Sequence, residues 1–249
     1  MYGKRNNGTM KEVLVSVASQ GRENYNAAQL NLIRSSLNTN NGRNWYGDYL
    51  IRSVDGYVDE YLGVKITKGW PETKEFGVAW QHKDMPYQFK PYAVWEAFEK
   101  GYQRVLWCDS TMRIMKNPEP LWEKCNQRGI LAWDNEGHPL KHWISDYAVQ
   151  KTGLQDMEAK QIMACCIMFD FSNPITETIV RQWIEGSRNN SFHHSTNGSN
   201  RPDFKTDRHD QSYLSALLSV HGIEVEPYGE LAYPHYTPIK PTFLNWGVG

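Results

Sequence analysis

The chain has 249 residues, with 27 basic against 28 acidic side chains for a net charge of −1, and a mean hydropathy of −0.66. That length accommodates one large α/β domain or two small ones, and a charged fraction of 22% excludes a disordered chain. Near-neutrality excludes a protein that coats nucleic-acid phosphates along its length, while leaving room for a local basic groove.

Residues 1–10, rich in Gly, Asn and basic side chains, read as a loose start. The run 13–18 is apolar and β-branched, of strand length, and the polar residues 19–24 stop it. A helical pattern follows, with Leu30, Ile33 and Leu37 on one face. Strand, polar loop and helix form the opening unit of an α/β fold, whose ligand sits at the strand's carboxyl end. Residues 38–42 read as a turn, 49–54 and 57–66 as strands, and 69–87 as a surface excursion. Pro91 suits a first helical turn, Val94, Ala97 and Phe98 make one face, and Gly101 supplies the stop. The stretch 104–108 reads as a buried strand that ends on Asp109-Ser110-Thr111. A helix over 120–127, a short strand over 130–133 and then Asp134 repeat the alternation. A long apolar strand is expected over 162–171, then a helix from Pro174 burying Ile179, Val180, Trp183 and Ile184. Polar residues 187–207 read as a flexible loop. The chain closes with a helix carrying Leu214, Leu217 and Leu218, a strand over 223–225 and a proline-rich tail. With no internal repeat and no Pro/Ser linker, the expectation is one α/β domain spanning 1–249.

The four cysteines include one adjacent pair and no Cys-x-x-Cys spacing, so they read as reduced thiols rather than a disulfide framework or a zinc site. No apolar run approaches the ~18 residues of a membrane span, and the apolar stretch 13–18 is shorter than the ~7–15 residues of a secretory core segment. The expectation is a soluble, cytoplasmic protein.

Three clusters could carry chemistry. Asp109-Ser110-Thr111 leaves a buried strand where open α/β sheets bind ligands; Asp109 there could hold Mg²⁺ or Mn²⁺, or instead cap the following turn. His209-Asp210-Gln211-Ser212 precedes a leucine-faced helix, where Asp210 could be an N-cap or a rigidly held acid facing a sugar. The stiff segment 233–241 displays His235 and Lys240, suited to a divalent metal and a diphosphate, or simply to solvent. P-loop, dinucleotide-binding and hydrolase-elbow motifs are missing.

In order and spacing these units resemble the nucleotide-sugar glycosyltransferases of the GT-A fold, in particular the glycogenin/galactosyltransferase-like (family 8-like) enzymes. The opening strand with Asn24-Tyr25 is similar to the nucleobase-binding strand of that family. Lys90-Pro91 through Val105-Leu106-Trp107-Cys108-Asp109-Ser110 is similar to its V-L-Y-L-D-x-D region, His209-Asp210-Gln211-Ser212-Tyr213-Leu214-Ser215 to its D-Q-D-x-L-N, and the segment from His235 to Pro241 to its H-x-x-G-x-x-K-P-W. The resemblance implies a single GT-A-like (Rossmann-like) domain with a mixed, mostly parallel sheet flanked by helices. It implies transfer of a sugar from a nucleotide-sugar, here a UDP-sugar, to an acceptor hydroxyl. By the same resemblance Asp109 and His235 would ligate a divalent cation (Mn²⁺ or Mg²⁺), and Lys240 would contact the diphosphate. Ser19, Tyr25, Lys90 and Ser110 would complete the donor site, with Tyr25 stacked on the base. Asp210 and Gln211 would be catalytic, facing the donor sugar, and Trp133 and Asp134 would line the acceptor side. Thr111 stands where the family has a second metal-binding Asp, Ala164-Cys165-Cys166 where it has an Asn, and Ser212 where it has a third acidic position. These departures open a metal-free site leaning on Lys90 and Lys240, or a non-catalytic nucleotide- or carbohydrate-binding relative. The acceptor could be a glycan, a protein or, for a phage-type enzyme, a modified DNA base.

Overall fold

Alternating apolar side chains, buried on both faces, make β1 (Glu12–Ala18) the centre of the sheet. This computed structural model describes residues 10–18, 23–37, 43–56, 58–234 and 241–247. After β1 come α1 (Glu23–Leu37), β2 (Asp48–Ser53), β3 (Glu60–Tyr61), β4 (Val64–Lys68), the hairpin β5 (Glu72–Thr73) and β6 (Gly77–Val78), and α2 (Phe89–Glu99). The second half contains β7 (Arg104–Cys108), β8 (Met112–Ile114), α3 (Trp122–Arg128), β9 (Ile130–Leu131), β10 (Asp134–Pro139) and α4 (Asp146–Thr152). It ends with β11 (Lys160–Ile162), β12 (Cys166–Asp170), α5 (Pro174–Arg188), α6 (Asp210–Val220), β13 (Leu231–Ala232) and β14 (Phe243–Asn245).

Seven strands form the main sheet in the order β3-β4-β2-β1-β7-β12-β9. Its middle is parallel: β1 pairs with β2 on one side and β7 on the other, and β2 with β4. β12 runs antiparallel to both β7 and β9, and β3 antiparallel to β4. The connection reverses direction between β1 and β7, and in such sheets a crevice opens at the carboxyl ends of the two strands.

Period-two alternation sorts the core. Val13, Val15, Val17, Val105, Trp107, Ile167 and Phe169 face one layer, built on α2, α5 and α6. Leu14, Leu106, Cys108, Cys166 and Met168 face the other, with Leu32 and Ile33 of α1 and Trp122 and Cys125 of α3. α5 starts where Asn173 caps it, accepting the Ile175 N–H, with Pro174 next, and it buries the expected Ile179, Val180, Trp183 and Ile184. α2 is tied to β2 by a two-pronged ion pair between Arg52 and Glu96 (2.8 and 2.5 Å).

Local details depart from the sequence expectation. The 57–66 strand is two strands, because Leu62 and Gly63 take positive φ and turn the chain back. The 162–171 strand is split: Ile162 pairs with Asp134 in a separate ribbon, and pairing with β7 begins at Cys166. Residues 223–225 are not a strand; Glu226 alone bridges to Trp133. α4, capped by Ser145 and ended by Gly153, was not anticipated. All four cysteines are free and buried, and no helix among the described residues is long and apolar enough to cross a membrane.

Gly129 closes α3 with φ +83°, and an added Cβ would sit 2.6 Å from Ile175 Cγ2 and 2.7 Å from Thr176 Oγ1. The Thr176 hydroxyl donates to the carbonyls of Gly129 and Asp170, so it cannot move aside freely. Gly129→Ala therefore combines a disfavoured backbone with overpacking and is expected to cost about 2–5 kcal/mol. Urea unfolding checks this through a lower midpoint at an unchanged slope.

Candidate active site at the carboxyl end of the seventh strand

Chain alternation brings Trp107 to the α2 side, and the strand then leaves the sheet at Asp109. The indole Nε1–H donates to Asp109 Oδ1 at 3.1 Å, and the Asp109 backbone N–H donates to Cys165 O at 2.7 Å, fixing the carboxylate at the strand end. Across from it, Lys90 is the second residue of α2 and its side chain is only 5% exposed. A buried ammonium persists only if it is compensated. Lys90 Nζ lies 3.1 Å from Asp109 Oδ1, donates to Asp109 Oδ2 at 3.3 Å and to Ala164 O at 3.2 Å, and lies 3.4 Å from Asp210 Oδ2. The rings of Tyr87 and Trp107, 5.1 and 5.9 Å away, add cation–π contacts.

Asp210 opens α6 and is 2% exposed. Its Oδ2 has the ammonium nearby but no hydrogen-bond partner among the described residues. Beside it Gln211 donates from Nε2 to Ile162 O at 2.8 Å, which leaves its carbonyl oxygen for a ligand. Lys90, Asp109, Asp210 and Gln211 share a cavity of about 380 Å³ that Tyr87, Cys165, Asp207, Arg208, His209, Tyr233 and Asn245 also line. Tyr87 and His209 both take positive φ (59° and 54°), a rare conformation for non-glycine residues that concentrates at ligand sites.

Burial alone would lower the Lys90 pKa, but the carboxylates of Asp109 and Asp210 outweigh it and hold the amine above the ordinary lysine value. Burial pushes Asp210 up to about 7, against the pull of Lys90 and with a push from Asp109. Asp207 is raised to about 6 by burial, although the Ser145 and His209 backbone N–H groups favour its charged form. Burial also pushes the Cys165 thiol up, so it is not a nucleophilic thiolate. His82 and His209 are both lowered, first by burial, and stay neutral near pH 7.

Of the residues singled out from sequence, Lys90, Asp109, Asp210 and Gln211 meet in this pocket. Tyr25 lies half-buried in the first turn of α1, close enough to Tyr87 to raise its pKa electrostatically. Ser110 is buried and does not line the cavity. Trp133 and Asp134 are placed elsewhere: Trp133 packs edge-on against Phe243, while Asp134 accepts the Gly137 N–H and pairs with Lys160. Their strand-end position put them near a ligand in the sequence, but the split of the 162–171 strand pairs Asp134 with Ile162 in a separate two-stranded ribbon. Ser19, His235 and Lys240 lie outside the described residues. Sequence reasoning missed Tyr87, Arg208, Tyr233 and Asn245; Tyr87 precedes α2 in a left-handed conformation, and all four reach the site only through the fold.

The donor set tests the expected divalent cation. Both Asp109 oxygens are already engaged by Lys90 and Trp107. Thr111 donates its hydroxyl to Asn245 Oδ1 at 3.0 Å, and that oxygen also accepts the Gly247 N–H at 3.3 Å. Among the described residues no three His, Cys, Asp or Glu side chains gather in ligating geometry. Among the described residues, a carboxylate already paired with Lys90 and Trp107, beside a paired hydroxyl and amide, offers Mg²⁺ or Mn²⁺ few free anionic oxygens; the other expected ligand, His235, lies outside those residues.

Lys90→Met would leave two carboxylates facing each other without their cation. The expected cost is about 3–5 kcal/mol. Folded Asp210 titrates near 7 and unfolded Asp near 3.8, so the folded state holds the extra proton and stability declines as pH rises from about 4 to 7. Without Lys90 that decline steepens, so urea midpoints of variant and parent should diverge more at pH 8 than at pH 5.5.

No protein-family model and no curated relative matches the chain. Solved structures do. The apo WbbM bifunctional glycosyltransferase superposes with a TM-score of 0.52 at 12% identity over 99% of this chain, which spans 47% of the WbbM chain. Mouse xyloside xylosyltransferase 1, also apo, gives a TM-score of 0.51 at 7% identity over 96% of this chain and 97% of that one. The galactosyltransferase LgtC, with donor and acceptor sugar analogues, gives 0.48 at 12% identity, covering 94% and 86%. The mixed seven-stranded sheet flanked by helices is thus the GT-A-like fold of glycosyltransferases.

Proposed function

We propose that this protein transfers a sugar from a nucleotide-sugar donor, a UDP-sugar, to an acceptor hydroxyl. The observation that carries the reading is the buried Lys90 ammonium between Asp109 and Asp210, in the pocket at the carboxyl end of β7. In the reaction the acceptor oxygen bonds to the anomeric carbon, and the bond from that carbon to the diphosphate oxygen breaks with its electron pair. Negative charge grows on the leaving nucleoside diphosphate, and a fixed cation in a water-poor site offsets it. In this reading Lys240 supplies that charge at the diphosphate, and Lys90 holds both carboxylates in place. Asp109, 29% exposed at its side chain, is positioned to accept from donor-sugar hydroxyls. Asp210, whose Oδ2 faces only the Lys90 ammonium at 3.4 Å and whose pKa is pushed up to about 7, takes the acceptor proton, and the Gln211 carbonyl oxygen orients the sugar. Ser19, Tyr25 and Lys240 complete the donor side in this reading. No step is routed through a divalent cation.

Isothermal titration with UDP, with and without Mn²⁺, tests the reading: saturable binding is expected without the metal, and no binding in either condition overturns it. A donor-hydrolysis assay then separates an enzyme from a binding-only relative, in which Thr111 and Asn245 simply complete a structural contact. Asp210→Asn should lower turnover by about 10²–10⁴-fold, mainly in kcat. Because the ionised carboxylate is the working form, kcat of the parent should fall roughly tenfold per unit below about pH 7.

A further inference from the structure

Arg208 reaches the pocket from the strap 203–209, which is fastened to residues 142–145. The backbone N–H groups of Lys205 and Thr206 donate to His142 O, that of Arg208 to Trp143 O, and that of Ser145 to Asp207 Oδ2 at 2.7 Å. Asp207 also accepts the His209 N–H at 2.5 Å, so a buried carboxylate sets the strap's shape from within. Held this way, the strap places two cations on one indole: Lys205 Nζ is 5.3 Å and Arg208 Cζ 4.9 Å from the centre of the Trp143 ring. His138 meets the same ring edge-on at 5.5 Å.

Both cations are exposed, and neither has a carboxylate within ion-pair distance among the described residues. Three of the acids around them are already committed, Asp146 to Arg201, Glu158 to Lys141 and Asp207 to backbone N–H groups, and Asp203 of the strap lies outside ion-pair distance of both. Glu136 approaches Tyr233, as Arg208 does, without pairing with Arg208. Two like charges within 5.3 Å of one ring centre repel each other, and an anion joining them relieves that repulsion; of the pair, Arg208 lines the pocket. An arginine fork and a lysine that share one indole as backing supply the donors a phosphate group takes.

Position separates this pair from the donor. The strap leads into α6, which packs on β11, the segment running into β12. β12 borders β7 on the side opposite β1, where Tyr25 and the donor-side crevice lie. We propose that the acceptor carries a phosphate group, seated by Lys205 and Arg208 against Trp143, with its attacking hydroxyl turned toward Asp210. The inference rests on the transferase reading and narrows its acceptor class.

Titration calorimetry with glucose 6-phosphate, glucose and UDP tests it, on the parent and on a Lys205→Ala/Arg208→Ala double variant whose fold is verified by circular dichroism. Glucose 6-phosphate is expected to bind at least tenfold tighter than glucose. Its affinity should drop at least tenfold in the double variant, a drop far larger than any change in UDP affinity. Equal affinity for glucose and its phosphate, or an unaffected variant, overturns the proposal. A UDP affinity that falls in step also overturns it, by assigning the cations to the donor diphosphate. A six-residue oligothymidylate distinguishes the source: tighter binding than glucose 6-phosphate supports a nucleic-acid phosphodiester, weaker binding supports a sugar phosphate. If UDP fails to bind the parent while glucose 6-phosphate binds, the transferase reading falls and takes the acceptor assignment with it. If UDP binds and glucose 6-phosphate does not, only the acceptor assignment falls.

Discussion

A single ammonium group joins three parts of this molecule that are far apart in sequence. Lys90 belongs to α2, Asp109 to the end of β7 and Asp210 to the start of α6, and the charge between them is almost completely withdrawn from water. Burying a lone charge is so unfavourable that the carboxylates must come to it, and two close carboxylates are equally unfavourable without it. The cluster therefore stabilises the arrangement only when complete. It makes the floor of the crevice rigid, and it leaves one Asp210 oxygen without a hydrogen bond, which is where a ligand can gain most.

Around this floor the structure stores strain and retains charge instead of relaxing either. Tyr87 and His209 hold positive φ at the pocket wall, their rings 5.7 Å apart, and the packed layer beneath them keeps both in place. Asp207 fixes the strap through backbone bonds, and the strap displays Lys205 and Arg208 toward solvent. Rigid placement of unpaired groups reduces the ordering cost when a substrate arrives. The site is thus organised as a neutralised floor beneath a cationic rim.

The replacement at Thr111 fits the same economy of charge. With a second carboxylate there, Lys90 could not balance the cluster alone, and the pocket would call for another cation. A hydroxyl that donates to Asn245 instead ties β8's approach to β14 and adds no charge. Thr111 thus closes a neutral contact with Asn245 and leaves the carboxylates of Asp109 and Asp210 to be compensated by Lys90.

By itself the sequence determined the layer structure and the identity of the chemical groups. Alternation in 13–18 and 104–108 and the apolar face of α5 are local patterns that burial enforces residue by residue. Asp109 and Asp210 were legible because polar groups at a strand end and a helix start interrupt such patterns. Only the tertiary structure decided which of them meet. Lys90 read as a donor-site cation, but its burial between two carboxylates was set by packing, and Asp134 read as a strand-end acid until a break at 163–165 placed it in a separate two-stranded ribbon. The rim cations and Asn245 carried no local signal, since their surroundings come from segments up to a hundred or more residues away. Charge pairing acts through space, so its partners are fixed by topology and not by neighbours along the chain.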